Sequence, residues 1–304
     1  MKNSFDHITN GWLYKTCKAI GDAVIISVLF LLFCLPIVTI GPSVTALYYT
    51  VYRKYTKKID NVSKDFMHSL DPSRAVVAAT DKPKSRGIND VTDQLAYNRY
   101  PRWYSAQSMR ELLDEMFSSD DRKILGISEY GVVASVCQHG NPTDDVAAEG
   151  SWHPEERQAY LMHENLKGLM SEKRIWGSFV WAMFDFGADC RTEGARHGIN
   201  DKGLVCYDHV TRKDAFYLYQ ANWTKTPTLH LVGSRMTSVT NGTIDVMGFS
   251  NVGPVTLRVN GVACGTQTPD VACGVLGRDI PLNSGTNRVE LNAGRLTRSA
   301  VWRF

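Results

Sequence analysis

Residues 123–131, Lys-Ile-Leu-Gly-Ile-Ser-Glu-Tyr-Gly, run as an apolar strand that ends on a carboxylate, an aromatic ring and a glycine. A carboxylate at the C-terminal end of a strand can act as a nucleophile or a base where parallel strands gather such ends around a cleft. Taken alone, Glu129 reads equally as a solvated or helix-capping carboxylate. Its neighbours sharpen the choice. Residues 92–104 form a second strand that ends in Asn98 and Tyr100, and residues 179–186 end in an aromatic cluster around Trp181 with Asp185 beside it. Asn200 and Lys202 follow in Asn-Asp-Lys-Gly. Tyr100 and Trp181 also read as core aromatics, and Asn98 and Asp185 as residues that only fix loops. The histidines lack metal-ligand spacing, so neither a metal nor a cofactor is expected.

Those residues need elements to position them. In the zone 69–228, apolar runs predict strands over Ala75–Ala79, Gln94–Asn98, Lys123–Ser128 and Ser178–Phe184. Helical spacing predicts helices over Ala106–Phe117, Pro154–Ser171 and Arg212–Asn222. Alternation of the two implies a parallel sheet, and four strands are too few for a closed (β/α)₈ barrel. The zone 229–304 reads as an all-β sandwich, with strands over Thr243–Phe249, Val255–Val259 and Asn287–Leu291. Asn260-Gly261 is a hairpin signal, and Asn283-Ser284-Gly285 marks another turn.

The zone 1–68 is different. The chain has no charged residue from Ala23 to Tyr52, and residues 23–41 are almost entirely apolar. This predicts a helix over residues 22–40 that spans a lipid bilayer once. Lys15 and Lys18 precede the run and Arg53, Lys54, Lys57 and Lys58 follow it, which places the C-terminal part in the cytoplasm. A cleaved signal, a buried soluble helix and a hairpin broken at Pro36 and Pro42 are the competing readings. The net charge of +3 gives no case for nucleic acid. The seven cysteines are scattered, as buried thiols of a reducing compartment are; pairing of Cys264 with Cys273 is the one disulfide considered.

The blocks 92–104, 123–131, 179–186, 200–208 and 213–223 together resemble strands 6, 7 and 8 and the last helix of glycoside hydrolase family 2, of the β-galactosidase type; Asp71–Thr80 resembles strand 5. The resemblance implies the C-terminal half of a (β/α)₈ barrel followed by a small sandwich, acting on a carbohydrate. It makes Glu129 the nucleophile of a retaining mechanism, which forms a glycosyl-enzyme. It makes Tyr100 the hydrogen-bond donor that orients that carboxylate, and Trp181 the wall against which sugar C–H groups lie. Asn98 and Asp185 are further candidate substrate ligands. Trp103, Trp152 and His153 fit the family pattern without a role. Asn200 and Lys202 resemble the Asn-x-Lys element with which β-glucuronidases grip a substrate carboxylate, but the same residues fit β-galactosidases, which this reading prefers.

A retaining site needs a second carboxyl group about 5–5.5 Å from the first. In the family it is a Glu following Asn at the end of strand 4, and this sequence contains no Asn-Glu pair. Glu149, Glu155 and Glu193 are the substitutes to consider. Residues 32–52 and 60–69 resemble the start of a family of small bacterial membrane proteins of unknown function. Two partial families meeting near residues 67–71 imply a fused or truncated reading frame from a bacterium. Three functions follow: a membrane-tethered glycosidase, a catalytically silent fragment, or an anchored sugar-binding module. In the half barrel both sheet edges would lie open and favour self-association.

Overall fold

The computed structural model describes residues 12–34, 40–56, 62–81, 92–119 and 124–304. The described residues up to Tyr97, with Ile124 and Leu125, form one compact unit; those from Asn98 onward form a second.

The first unit contains three helices, α1 (Trp12–Cys34), α2 (Ile40–Thr56) and α3 (Val62–Leu70), and the strands β1 (Val77–Thr80) and β2 (Gln94–Asn98), whose last residue belongs to the second unit. Ile26, Ala46, Val62 and Phe66 are buried. Ion pairs join Asp22 to Lys54 and Arg53 to Asp65. β1 and β2 pair in parallel from Val77↔Gln94 to Thr80↔Tyr97. Asp93 closes this region: it accepts from the Val76 amide at 2.9 Å and from Lys64 at 2.6 Å, which together with His68 hold its carboxyl down at about 2.

The expected bilayer span is not found among the described residues. Among the described residues no helix is long and apolar enough to cross a membrane. α1 begins well before the apolar run, so Lys15, Lys18 and Asp22 lie within it. The uncharged helical part from Ala23 to Cys34 is about 12 residues, roughly 18 Å at 1.5 Å per residue, short of the ~30 Å hydrocarbon core. Residues 35–39 of the expected span 22–40 lie outside the described residues.

In the second unit β3 (Ile124–Tyr130, described here from Gly126) pairs in parallel with β4 (Ser178–Val180), through Ile127↔Ser178 and Tyr130↔Val180. The Arg99 amide donates to the Glu129 carbonyl at 2.8 Å. Helices α4 (Met109–Ser119), α5 (Glu155–Ser171) and α6 (Asp214–Trp223) accompany these strands. Strand β4 stops at Val180 rather than continuing to Phe184, because the chain turns to form the short ladder β5 (Phe186–Gly187) with β6 (Ile199–Asn200). α6 opens on Asp214, whose carboxylate takes His230 Nε2 and the Gly233 amide, each at 2.7 Å. These bonds fasten the helix to the domain that follows.

That domain has two antiparallel sheets, β11-β8-β7 and β10-β9-β12-β13. The strands are β7 (Leu229–Leu231), β8 (Thr243–Ser250), β9 (Val255–Val259), β10 (Val262–Gln267), β11 (Gly274–Pro281), β12 (Thr286–Ala293) and β13 (Leu296–Arg303). Alternate residues of β12 face inward and share one core with Leu231, Val246, Leu257 and Trp302. Asn260 and Gly261, both at positive φ (51° and 81°), make the β9–β10 hairpin turn. Cys264 and Cys273 are both free thiols, so the disulfide considered from sequence is not present.

Trp302 is 1% exposed and donates its indole N–H to the Gly233 carbonyl at 2.9 Å. Truncating a buried aromatic leaves a cavity and here also an unpaired carbonyl. Trp302→Ala is therefore expected to cost about 3–5 kcal/mol, read as a lower urea midpoint for the loss of β-sheet circular dichroism.

Candidate active site

The site gathers at the C-terminal ends of β2, β3 and β4, where Tyr100, Glu129 and Trp181 follow or end their strands. Tyr100 Oη donates to Glu129 Oε2 at 2.7 Å. Burial and the adjoining Glu129 carboxylate raise the phenol well above its ordinary range, so it remains a proton donor at any physiological pH. Glu129 is half-buried, with one oxygen held by Tyr100. The local backbone places it: Gly131, two residues on, packs against the chain carrying Trp181, and a Cβ there would stand 2.0 Å from the Trp181 carbonyl oxygen. Glycine is the residue that permits this approach. The Trp181 amide donates to the Tyr130 carbonyl at 2.8 Å, and its ring meets Phe186 edge-on at 5.6 Å. The Trp181–Ala182 peptide bond is cis.

Lys202 reaches the same place from the loop after β6. Its side chain is 2% exposed, and its ammonium lies 5.4 Å from the centre of the Tyr100 ring and 4.9 Å from that of Tyr104. Nζ donates to Tyr104 Oη at 2.7 Å and to Glu193 Oε1 at 2.8 Å. Burial first, and then the Arg191 guanidinium, bring its pKa down to about 7, against the opposing pull of Asp201 and Glu129. Asn200 Oδ1 accepts the Lys202 backbone N–H at 3.2 Å and so shapes the turn that delivers the lysine.

The other candidates stand further back. Asn98 Oδ1 accepts from Ser128 Oγ at 2.6 Å, one residue before Glu129. Asp185 requires a correction. Proposed as a substrate ligand, it is instead 1% exposed, with Oδ1 held by Lys213 Nζ at 2.8 Å and the Gly203 amide at 2.9 Å. Burial raises its carboxyl pKa, and Lys213 opposes that rise. It braces the loop carrying Lys202 from behind. Trp103 and His153 stack edge-on at 4.9 Å, and His153 Nε2 meets the Ala147 carbonyl at 3.0 Å, so both support the site's outer wall; Trp152 is exposed.

Of the substitute acids, Glu155 is fully buried at the start of α5, bound to Arg235 and the Asp214 amide, with burial and Asp214 raising it to about 8. Glu193 belongs to the Lys202 cluster, and Glu149 is solvent-exposed. Sequence reasoning missed Tyr104, Arg191 and Lys213. Only the spacing of Tyr104, four residues after Tyr100, hinted at a shared surface.

The family described as "Protein of unknown function, DUF624" matches residues 23–70. A β-glucuronidase from Bacteroides fragilis is 38% identical over 241 residues, covering 78% of this chain and 34% of that protein. The crystal structure of an FMN-binding β-glucuronidase from F. prausnitzii L2-6 superposes with a TM-score of 0.69 at 33% identity, over 79% of this chain and 37% of that one. A putative β-galactosidase from Bacteroides fragilis has the same fold, with a TM-score of 0.72 at 24% identity over 80% of this chain and 38% of that one. This chain spans about a third of the length of the curated relatives it matches. The chain is therefore homologous to part of glycoside hydrolases of the β-glucuronidase kind.

Proposed function

We propose that residues 69–228 are the nucleophile-bearing half of a family 2 (β/α)₈ barrel, and that its substrate is a β-glucuronide. The observation carrying this reading is the buried Lys202 ammonium beside the Tyr100–Glu129 pair. An ammonium withdrawn from water at a sugar site suits a carboxylate far better than a neutral hydroxymethyl group, because an ionic partner offsets its desolvation. The names of the B. fragilis and F. prausnitzii relatives agree. The sequence by itself leans towards a β-galactoside; the placement of Lys202 moves the balance.

In this reading Glu129 attacks the anomeric carbon, the C1–O bond to the leaving group breaks, and an acylal ester links the sugar to Glu129 until water hydrolyses it. Tyr100 keeps the carboxylate aimed through its 2.7 Å hydrogen bond, and Trp181 supplies an apolar face to the ring. A second reading, the catalytically silent fragment, is favoured by one observation: the sequence has no Asn-Glu pair to supply the general acid. Glycosides with poor leaving groups need that acid, which is worth roughly 10²–10⁴ in rate. Aryl glycosides with acidic phenols do not.

The test is p-nitrophenyl β-D-glucuronide against p-nitrophenyl β-D-galactoside on the full chain. Slow phenol release from the glucuronide is expected, with little from the galactoside. KM for the glucuronide should rise as pH passes about 7, because Lys202 loses its proton there and with it the charge that binds the carboxylate. A preference for the galactoside would sink the substrate assignment, and inertness towards both would establish the silent reading.

A further inference from the structure

We propose that Glu193 is a gate on Lys202: its carboxylate occupies the place of a uronate carboxylate, and the substrate must displace it to bind. The inference rests on the reading of Lys202 as the uronate anchor.

The geometry is that of a ligand already bound. Lys202 Nζ donates to Glu193 Oε1 at 2.8 Å, and Tyr104 Oη donates to both Glu193 oxygens, at 2.6 and 2.7 Å. Lys202 also donates to Tyr104 Oη at 2.7 Å, which closes a three-membered cluster. A planar carboxylate held by an ammonium and a phenol is what a uronic acid would present to the same two groups. The side chains of Lys202 and Glu193 are 2% and 14% exposed, so little water competes for the pair.

The loop bearing Glu193 carries its own counter-charge. It joins β5 to β6 and is closed at its base by the Ala188 N–H on the Gly198 carbonyl at 2.8 Å and the Gly198 N–H on the Arg191 carbonyl at 3.0 Å. Gly194, directly after Glu193, lies at a φ of 97° and donates its N–H to the Gly150 carbonyl at 3.0 Å, so the exchange of carboxylates falls to the Glu193 side chain and its short segment. Arg191 is on the same loop and is ion-paired with Glu193. When the tip lifts, that partner travels with the carboxylate, so the displaced Glu193 is not left uncompensated. The anchor itself stays, because the Lys202 turn is held by Asn200 and its stem packs near Gly131.

The consequence is selectivity by exclusion. A substrate bearing a carboxylate exchanges one anion for another at Lys202. A neutral hexoside would have to expel Glu193 and leave the ammonium without a partner, a repulsive element against the wrong sugar.

The experiment measures how phenyl 1-thio-β-D-glucuronide protects Lys202 from reductive methylation, read by mass spectrometry on the full chain, with Lys213 as a buried internal standard of folding. In Glu193→Gln, Lys202 should become reactive without ligand. The dissociation constant of the thioglucuronide, followed by tryptophan fluorescence, should be at least about tenfold lower than the parent's, since a charge-assisted hydrogen bond no longer competes. Glu193→Ala should behave alike, and phenyl 1-thio-β-D-galactoside should not protect Lys202 in either variant. Thioglucuronide binding equal to the parent's or weaker in both variants, with Lys213 still shielded, overturns the gate. The anchor reading fails separately: in that case Lys202→Met would leave thioglucuronide binding, followed by tryptophan fluorescence, unchanged. Absence of protection in every variant would overturn both.

Discussion

Glu129→Gln is expected to abolish phenol release from p-nitrophenyl β-D-glucuronide, a loss of more than about 10³-fold. The amide keeps the shape of the carboxylate and can still accept from Tyr100, so the pocket should retain its form. What disappears is the negative oxygen that would form the ester with C1 and stabilise positive charge at that carbon as the bond to the phenol stretches. Knocking out a nucleophile in other hydrolases costs up to about 10⁶ in kcat, and the slow parent rate sets how much of that range can be seen. Tyr100→Phe is the graded companion. It deletes a single bond of 2.7 Å to an anion. Hydrogen bonds to charged groups contribute about 1.5–3 kcal/mol, or roughly 10- to 150-fold in rate. KM should change little in either variant, because the substrate carboxylate is read by Lys202. If Glu129→Gln released phenol as fast as the parent, the hydrolysis would be coming from elsewhere in the chain. Glu193, the carboxylate nearest the Lys202 ammonium, would then become the residue to replace next.

The pairing of Tyr100 with Glu129 was expected from the resemblance of their sequence blocks to one family, and the local apolar runs ahead of each put both near the C-terminal ends of strands. The hairpin at Asn260-Gly261 was legible for a similarly local reason, since those two residues adopt positive φ more readily than others. The partners of Lys202 were not legible. Tyr104 and Glu193 lie 98 and 9 residues away from it, on irregular loops whose paths no periodicity encodes. Asp185 shows a different blind spot. A carboxylate after an aromatic cluster looks like a ligand on paper, but which way it points depends on Lys213, 28 residues later and wholly buried. The apolar run from Ala23 shows a third limit: composition over a window does not register that α1 begins at Trp12, so that Lys15, Lys18 and Asp22 share the helix with the run.

Lys213→Met is expected to be among the most destabilising single substitutions in the second unit, at about 3–5 kcal/mol. Lys213 is 0% exposed and uses all three ammonium protons: on Asp185 Oδ1 at 2.8 Å, on the Asp201 carbonyl at 2.8 Å and on the Ala134 carbonyl at 2.9 Å. These acceptors lie on the chain following β4, on the Lys202 turn and on the chain following β3, so one ammonium joins the segments that frame the site. Methionine fills much of the volume but takes the ammonium from the buried Asp185 carboxylate, which keeps the Gly203 amide at 2.9 Å and the Arg196 guanidinium at 3.6 Å, and removes the lysine donor from the Ala134 and Asp201 carbonyls. The defect should depend on pH with a definite sign. Burial already raises the Asp185 pKa, and Lys213 is what opposes the rise. Without the lysine, the folded protein will hold the proton to higher pH than the unfolded chain. Its relative stability will then be best below the unfolded carboxylate pKa near 3.9 and will be lost as pH rises through the new folded value. Urea midpoints for parent and variant should therefore converge on acidification and separate towards neutrality. Adding Asp185→Asn removes the charge that the lysine neutralised, and should recover part of the loss at neutral pH. A pH-independent gap, or a double variant no more stable than Lys213→Met, would show that the lysine acts only through packing and its two carbonyl bonds.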